Sequence, residues 1–300
     1  MNNTNFEDLR GSKVLITGAF GFIGKHLLQK LIELECKIIA PLSQNSSSKI
    51  DNAPTGNVTY PIYDGTYESL SFLENTTIDF IFHLASYQSS NEEITEIEKM
   101  IDSNINYGIH VLKLARKCDC KLFINTESYF QFDEEGSYWP RNIYSASKQA
   151  FTDILQVFNK DGLAVTSLVL FDVYGPDDQR DKIFSRLKNA YLKNKELSMT
   201  PGLQTHYCVH VSDVVSAFCL TTSIMKIKEI RLNRYWVVGK GETLKSVIEK
   251  WCSVFECYPK VLWGEIEYFP NQILTPFVGE KIPGWKAQIT LEEGLKSINK

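Results

Sequence analysis

Gly11-Ser-Lys-Val-Leu-Ile-Thr-Gly-Ala-Phe-Gly-Phe-Ile-Gly-Lys-His-Leu-Leu-Gln-Lys-Leu-Ile-Glu-Leu-Glu-Cys-Lys37 decides how the rest of the chain is read. Val14-Leu15-Ile16 is an apolar run short enough for a buried parallel strand, while Phe22, Ile23, Leu27, Leu28, Leu31 and Ile32 recur at helical spacing. Between strand and helix stand Gly18, Gly21 and Gly24. Without a Cβ the first can make the tight turn, the second lets a diphosphate approach the backbone, and the third lets helix pack closely on strand. The free N–H groups at the helix start then receive the phosphate charge.

Working outward, the same alternation repeats. Apolar strands are expected at Lys37–Ala40, Val58–Tyr63, Ile78–Ala85, Lys121–Asn125 and Leu163–Phe171, with a helical segment at 67–74 and helices at about 144–158 and 91–117, the last softened by Gly108. Six strands with intervening helices predict a doubly wound parallel α/β sheet of the Rossmann type. From Tyr174-Gly-Pro176 the regularity weakens into polar loops, a helix at about 183–192, a strand at 206–211, a helix at 214–222, a strand at 234–239 and a helix at 243–251. The chain closes with a helix capped by Thr290 and Glu293. The expected division is a dinucleotide-binding domain, residues 1–174 plus about 206–240, and a smaller C-terminal substrate-binding lobe, about 175–205 plus 241–300.

Composition bounds the function. The 300 residues are 43% hydrophobic and 23% charged with a net charge of −4, which gives no electrostatic case for nucleic acid. The polar start carries no apolar signal core and no stretch approaches the length of a bilayer span, so a cytoplasmic protein with no membrane partner is expected. Seven cysteines form no Cys-x-x-Cys pair, and His206 and His210 sit four apart in a strand pattern without a third ligand, so neither a disulfide framework nor a metal site is expected.

The chemistry concentrates in Tyr144-Ser-Ala-Ser-Lys148, which puts a phenol and an ammonium on one face of a helix. A nearby cation favours phenolate and brings the tyrosine toward proton exchange near neutrality. Tyr191 and Lys195 repeat the spacing, but only Tyr144 opens a helix that follows an apolar strand, Leu122-Phe-Ile-Asn-Thr126, whose carboxyl end is where ligands bind in such sheets. Between Pro41 and Lys49 there is no carboxylate to hold an adenosine ribose and repel a 2′-phosphate, whereas Ser43, Ser46 and Lys49 would accept one. NADP is therefore the expected cofactor, with NAD the alternative.

Thr17 to Gly24, His83-Leu-Ala85, Asn104, Thr126, Tyr144 to Lys148 and Tyr174-Gly-Pro176, in that order and spacing, resemble the extended short-chain dehydrogenase/reductases that act on nucleotide sugars. The resemblance extends to Gln204–Asp213 and the closing Gly284-Trp285. Within that family, Ile124-Asn-Thr-Glu-Ser-Tyr-Phe130 is most similar to the 4-ketoreductases of the CDP-abequose synthase type. The resemblance implies that Thr126 bonds the sugar oxygen at C4, that Tyr144 exchanges the proton, and that Lys148 holds the nicotinamide ribose and tunes Tyr144. It further implies a cofactor set of Gly18, Phe20, Gly21, Phe22, Ile23, Gly24, Ser43, Asp64, Leu84, Ala85, Ser86 and Phe171, and a substrate set of Ser86, Thr126, Glu127, Asp172, Arg180 and His206. Two positions depart from the family pattern. Val169 and His206 stand where many members carry arginine, and Arg180, Lys182 and Arg186 are near enough in sequence to restore the charge.

Dehydratases of the family follow the active-site Thr with two acids, because elimination needs both a base and an acid. Here Glu127 is followed by Ser128. The expected activity is therefore reduction of the C4 keto group of a nucleotide-linked 4-keto-6-deoxy sugar. A 4-epimerase with tightly bound NAD and a cofactor binder without catalysis are the alternatives. A homodimer is expected, paired through Ile97, Ile101, Ile105, Phe151 and Leu155.

Overall fold

The computed structural model describes residue 6 and residues 8–224, 232–269 and 272–298. Its centre is a seven-stranded sheet in which every pairing is parallel. In chain order the strands are β1 (Lys13–Thr17), β2 (Lys37–Ile39), β3 (Val58–Thr59), β4 (Phe80–His83), β5 (Leu122–Ser128), β6 (Val165–Leu170) and β7 (Leu232–Val237). Across the sheet they run β7-β6-β5-β4-β1-β2-β3. The direction of winding reverses between β1 and β4, so a crevice opens outside their carboxyl ends, the place where such sheets bind ligands.

Both faces of the sheet are covered, which is why its strands read as continuous apolar runs. On one face Leu27, Leu28 and Leu31 of the helix Phe22–Glu33 pack with Val214, Ala217 and Phe218 of the helix Val211–Ile224. On the other, Val111, Leu112 and Ala115 of the helix Tyr107–Lys117 join Phe151 and Leu155 of the helix Ile143–Lys160. This corrects the expected dimer surface. Phe151 and Leu155 are 1% and 0% exposed and belong to the protomer's own core. Ile97, Ile101 and Ile105 of the expected surface are not buried, and the most exposed apolar side chains nearby are Ile94 and Ile101 of the helix Ile94–Ile101 and Val157 of the helix Ile143–Lys160.

Two local departures from the sequence pattern have clear causes. The run 58–63 is two short strands in different sheets, because Val58–Thr59 pairs with β2 while Ile62–Tyr63 pairs with Leu42–Ser43, and Pro61, which has no N–H, stands between them. The long helix begins at Ile94 and is interrupted at Asp102–Asn106 by a π turn, not at Gly108. Gly108 is instead a contact point, since a Cβ there would lie 2.3 Å from Phe151 Cε2. The π turn carries Asn104, and such bulges commonly serve to aim a side chain.

The remaining chain builds the second lobe beside the crevice. Asp172–Tyr174 pairs with Thr205–His210, which pairs with Gly241–Thr243, so the strand carrying His206 lies outside the seven-stranded sheet. Tyr174, Leu187, Leu244, Ile248, Trp251, Phe255 and Leu295 form this lobe's core. The predicted cap of the last helix is present in full: Thr290 Oγ1 accepts from Glu293 N, and Glu293 Oε2 accepts from Thr290 N.

Candidate active site

A cleft of about 1290 Å³ runs between the sheet's carboxyl edge and the second lobe. Of the residues expected from sequence, Gly18, Gly21, Phe22, Ile23, Gly24, Leu84, Ser86, Thr126, Glu127, Tyr144, Lys148, Phe171, Asp172, Arg180 and His206 line it. Phe20, Ser43, Asp64 and Ala85 are outside that lining. Phe20 packs on the Tyr60 ring, and Ser43 donates its hydroxyl to Ser46. Asp64 Oδ1 accepts from both the N–H and the hydroxyl of Thr66, and Ala85 N donates to Thr17 Oγ1. The Lys49 side chain lies outside the described residues.

The glycine loop is folded tightly and leaves a helix start open. Gly18 has φ +70°, and a Cβ on it would lie 2.7 Å from Ala85 N; one on Gly24 would lie 2.0 Å from Gly18 O. These two glycines thus fold the loop onto itself and onto the end of β4. Gly21 caps the following helix without a side-chain hydrogen bond, and no acid occupies the first turn. The N–H groups at that helix start are therefore left for an anion. Thr17, which the sequence reading used only as part of the motif, ties the arrangement together. Its hydroxyl oxygen accepts from Leu84 N and Ala85 N, and its proton goes to His83 Nδ1 at 2.9 Å. His83 is fully buried and its basicity is pushed down to about 3, by desolvation first and then by the Lys148 charge, so it is a neutral strut.

Thr126 stands near the end of β5 and is 7% exposed. The helix that faces it is set by its cap: Asn142 Oδ1 accepts from Ser145 N, and Ser145 Oγ accepts from Asn142 N. Tyr144 is thereby fixed in the first turn and Lys148 one turn on. Asn104 braces the same turn, its amide donating to Ser147 Oγ and Tyr87 O while its carbonyl accepts from Ser86 Oγ and Tyr87 N. Lys148 is 4% exposed, and its ammonium donates to Thr126 O at 3.1 Å and Thr126 Oγ1 at 3.3 Å. Burial pulls Lys148 down to about 8 against the opposing charge of Glu127. Burial also raises the Tyr144 phenol, opposed by the Ser86 hydroxyl and the Arg180 charge. Lys148 is thus directed at Thr126.

The two residues after Thr126 are committed elsewhere. Glu127 is 2% exposed and its Oε2 lies 2.9 Å from Arg234 Nε. The contact is close but poorly aligned, which leaves Arg234 Nε and Glu127 Oε1 without hydrogen-bond partners. Gln131 Nε2 also donates to Glu127. Ser128 caps the turn Tyr129–Gln131, its oxygen accepting from Phe130 N. Arg234 and Gln131 escaped the sequence reading, although a glutamate and an arginine inside two apolar strands are a signal for a pair.

On the second-lobe side, His206 Nδ1 lies 3.0 Å from Asp172 Oδ2, and Tyr129 donates its hydroxyl to the same carboxylate. Burial raises the Asp172 carboxyl, but His206, Lys182 and Tyr129 outweigh it and hold it below its ordinary range. Arg180 is in the cleft but already engaged: Nε and Nη2 meet Asp178 at 2.7 and 2.8 Å, and Nη2 also donates to Val173 O. Among the described residues no group of three or more His, Cys, Asp and Glu could hold a metal ion, and all seven cysteines are free.

The model of the NAD dependent epimerase/dehydratase family matches residues 14–239. A curated relative named CDP-abequose synthase, from Salmonella muenchen, is 26% identical over 294 residues, covering 95% of this chain and 96% of that protein. A dTDP-D-glucose 4,6-dehydratase from Dictyostelium discoideum is 30% identical over 247 residues, covering 73% of this chain and 56% of its own length. Among solved structures, a UDP-N-acetylglucosamine 4-epimerase from Methanobrevibacter ruminantium M1, in complex with UDP-N-acetylmuramic acid, superposes with a TM-score of 0.79 at 22% identity, covering 96% and 98% of the two chains. A UDP-glucose 4-epimerase from Thermus thermophilus, in complex with NAD, gives 0.78 at 21%, covering 95% and 97%.

Proposed function

The chain belongs to the NAD dependent epimerase/dehydratase family, and from that premise we propose that it is an NADPH-dependent reductase of the C4 keto group of a nucleotide-linked 4-keto-6-deoxy sugar. The observation that carries this reading is that Lys148 is bonded to Thr126 and Tyr144 lines the same cleft, while the next two positions, Glu127 and Ser128, are bound into the scaffold. Reducing a ketone needs one proton at O4 and stabilisation of the developing alkoxide. Tyr144 delivers that proton, and the Thr126 hydroxyl, which donates to His83 O at 3.3 Å in the structure, would turn to donate to the same oxygen. Lys148, bonded to both oxygens of Thr126, holds that residue in place and keeps a positive charge beside the growing negative one. Eliminating water would require a second acid–base pair. Glu127 is held by Arg234, and Ser128 is a turn cap.

The residues fit a nicotinamide dinucleotide, the uncapped helix start and the glycine loop being the observation that supports it. Gly18, Phe20, Gly21, Phe22, Ile23 and Gly24 would hold its diphosphate, Ser43 and Asp64 its adenosine end, and Leu84, Ala85, Ser86, Phe171, Tyr144 and Lys148 its nicotinamide end. When bound it supplies the hydride. The absent carboxylate between Ala40 and Lys49 favours NADP over NAD, and with it a cofactor exchanged each turnover over one retained by an epimerase. Ser86, Thr126, Asp172, Arg180 and His206 would face the substrate, while Glu127, although it lines the cleft, has its side chain held by Arg234. The relatives named CDP-abequose synthase support a deoxysugar product of the kind used in surface polysaccharide. In this reading the protein works in the cytoplasm as a homodimer joined through Ile94, Ile101 and Val157. Incubating it with dTDP-, CDP- and GDP-4-keto-6-deoxy sugars and NADPH tests the reading. Absorbance at the NADPH band should fall with one of them, and no decrease with any would refute it.

A further inference from the structure

The two sides of the cleft meet at the start of the helix Phe22–Glu33. Gly21 caps that helix without a side-chain hydrogen bond and its first turn holds no acid, so the N–H groups there are open to an anion. From the substrate side, the loop after Tyr174-Gly-Pro176 reaches the same helix at two points. His26 Nε2 bonds Pro176 O at 3.1 Å. The Arg180 guanidinium lies over the Phe22 ring, 4.4 Å from its centroid, a geometry that favours a cation. Phe22 is the first residue of the helix, so the ring that carries the guanidinium belongs to the residue whose own N–H opens the anion site. Asp178 fixes the other flank of Arg180, accepting from Nε at 2.7 Å and from Nη2 at 2.8 Å, and Val173 O accepts from Nη2 as well. Nη1 makes no hydrogen bond among the described residues. Gly18, Gly21, Phe22 and Arg180 line one cleft.

We propose that Arg180 completes the cofactor's anion site from the substrate lobe: held over the Phe22 ring, its guanidinium donates through Nη1 to the diphosphate of a nicotinamide dinucleotide seated on the open helix start. The proposal rests on the cofactor reading above, and it gives Arg180 a cofactor contact in place of a substrate one. Two other cations of the cleft are engaged away from the glycine loop, Lys148 with Thr126 and Arg186 with Asp181. Arg180 is the one pinned against the helix start. Its planar fork suits the task, because one edge can offset the Asp178 carboxylate while another stays turned to a phosphate oxygen. Without that guanidinium, Asp178 would stand near the cofactor's phosphates as an uncompensated anion. The substrate lobe thus supplies part of the cofactor's binding energy through a single side chain.

The test measures binding in the full chain without turnover, NADPH by its fluorescence and CDP, UDP, dTDP and GDP by calorimetry as probes of the substrate's nucleotide. Arg180→Gln should raise the Kd for NADPH by about five- to tenfold, one charge-assisted hydrogen bond reduced because Asp178 already shares the charge. The Kd of whichever nucleoside diphosphate the parent binds should stay within about twofold. Arg180→Lys should recover part of the NADPH loss, as a charge without the fork. An NADPH affinity unchanged by Arg180→Gln overturns the proposal. An equal or larger loss for the nucleoside diphosphate also overturns it, by assigning Arg180 to the substrate or to the shape of the loop. Parent affinity restored by adding Asp178→Asn to Arg180→Gln overturns it too, since Arg180 would then only neutralise its neighbour. A parent that binds NADPH but no nucleoside diphosphate would count against the proposed function and leave the NADPH comparison to decide this inference; a parent that binds neither NADPH nor NADH would refute both.

Discussion

Lys148→Met should make the protein inactive and, at neutral pH, more stable. The native fold keeps an ammonium that is 4% exposed, and burial brings its pKa from 10.5 to about 8. A shift of that size corresponds to roughly 3 kcal/mol held against folding while the group is charged in both states. Methionine retains the stem and packing but removes the charge, leaving Thr126 O and Oγ1 short of a donor at a cost of about 1–2 kcal/mol. The net gain is about 1–2 kcal/mol at pH 7, read as a higher urea midpoint with unchanged slope. The sign follows from proton counting. Below pH 8 both states hold the proton and the penalty on the parent is complete. Between pH 8 and 10.5 the unfolded chain holds the proton and the native chain does not, so the parent gains stability as pH rises. The advantage of the variant must therefore shrink from pH 8, vanish about one pH unit higher and reverse to a deficit of about 1–2 kcal/mol by pH 10.5. A variant less stable than the parent at pH 7, or a difference that does not change with pH, would refute the reasoning that places a strained buried charge at the centre of the site.

Tyr144→Phe should abolish turnover with cofactor affinity within a few-fold, while Tyr191→Phe, at an exposed position with the same spacing to a lysine, should be near neutral in steady-state kinetics. NADPH should be preferred over NADH by about tenfold or more in kcat/KM, the worth of one charge-assisted hydrogen bond to the 2′-phosphate, and Ser43→Asp should erase much of that preference. Gly108→Ala puts a methyl 2.3 Å from the Phe151 ring, and overpacking of about 1–3 kcal/mol, partly offset by helix propensity, should lower the urea midpoint. Sedimentation should show a dimer at micromolar concentration, and Ile101→Glu should convert it to monomer.

Six strands of the sheet were legible because parallel strands covered on both faces are apolar throughout and the glycine loop announces the first βα turn, while the strand at 232–237 was read without its place beside β6. The cap at Thr290 and the helix Ile183–Leu192 were legible because local chemistry specifies them. What was hidden is what depends on distant partners. Periodicity could show that Phe151 and Leu155 are apolar, but not that both are buried in the protomer's own core, Phe151 in the space that Gly108 on another helix leaves open. The spacing of Tyr144 and Lys148 put both on one face, but only the approach of β5 directs Lys148 to Thr126, and only the fold brings Arg180 from the loop after Pro176 into the same cleft. The pair of Glu127 and Arg234 spans two strands far apart in the chain, so each residue alone reads as an anomaly.

The most direct test of the central claim is to follow the hydrogen itself. With NADPH deuterated at the transferred position and the accepted 4-keto-6-deoxy nucleotide sugar, one deuterium should appear at C4 of each product molecule, with one NADP formed per sugar reduced. Product that carries no deuterium at C4, or an interconversion of C4 epimers that consumes no NADPH, would contradict the account and assign the site to epimerisation.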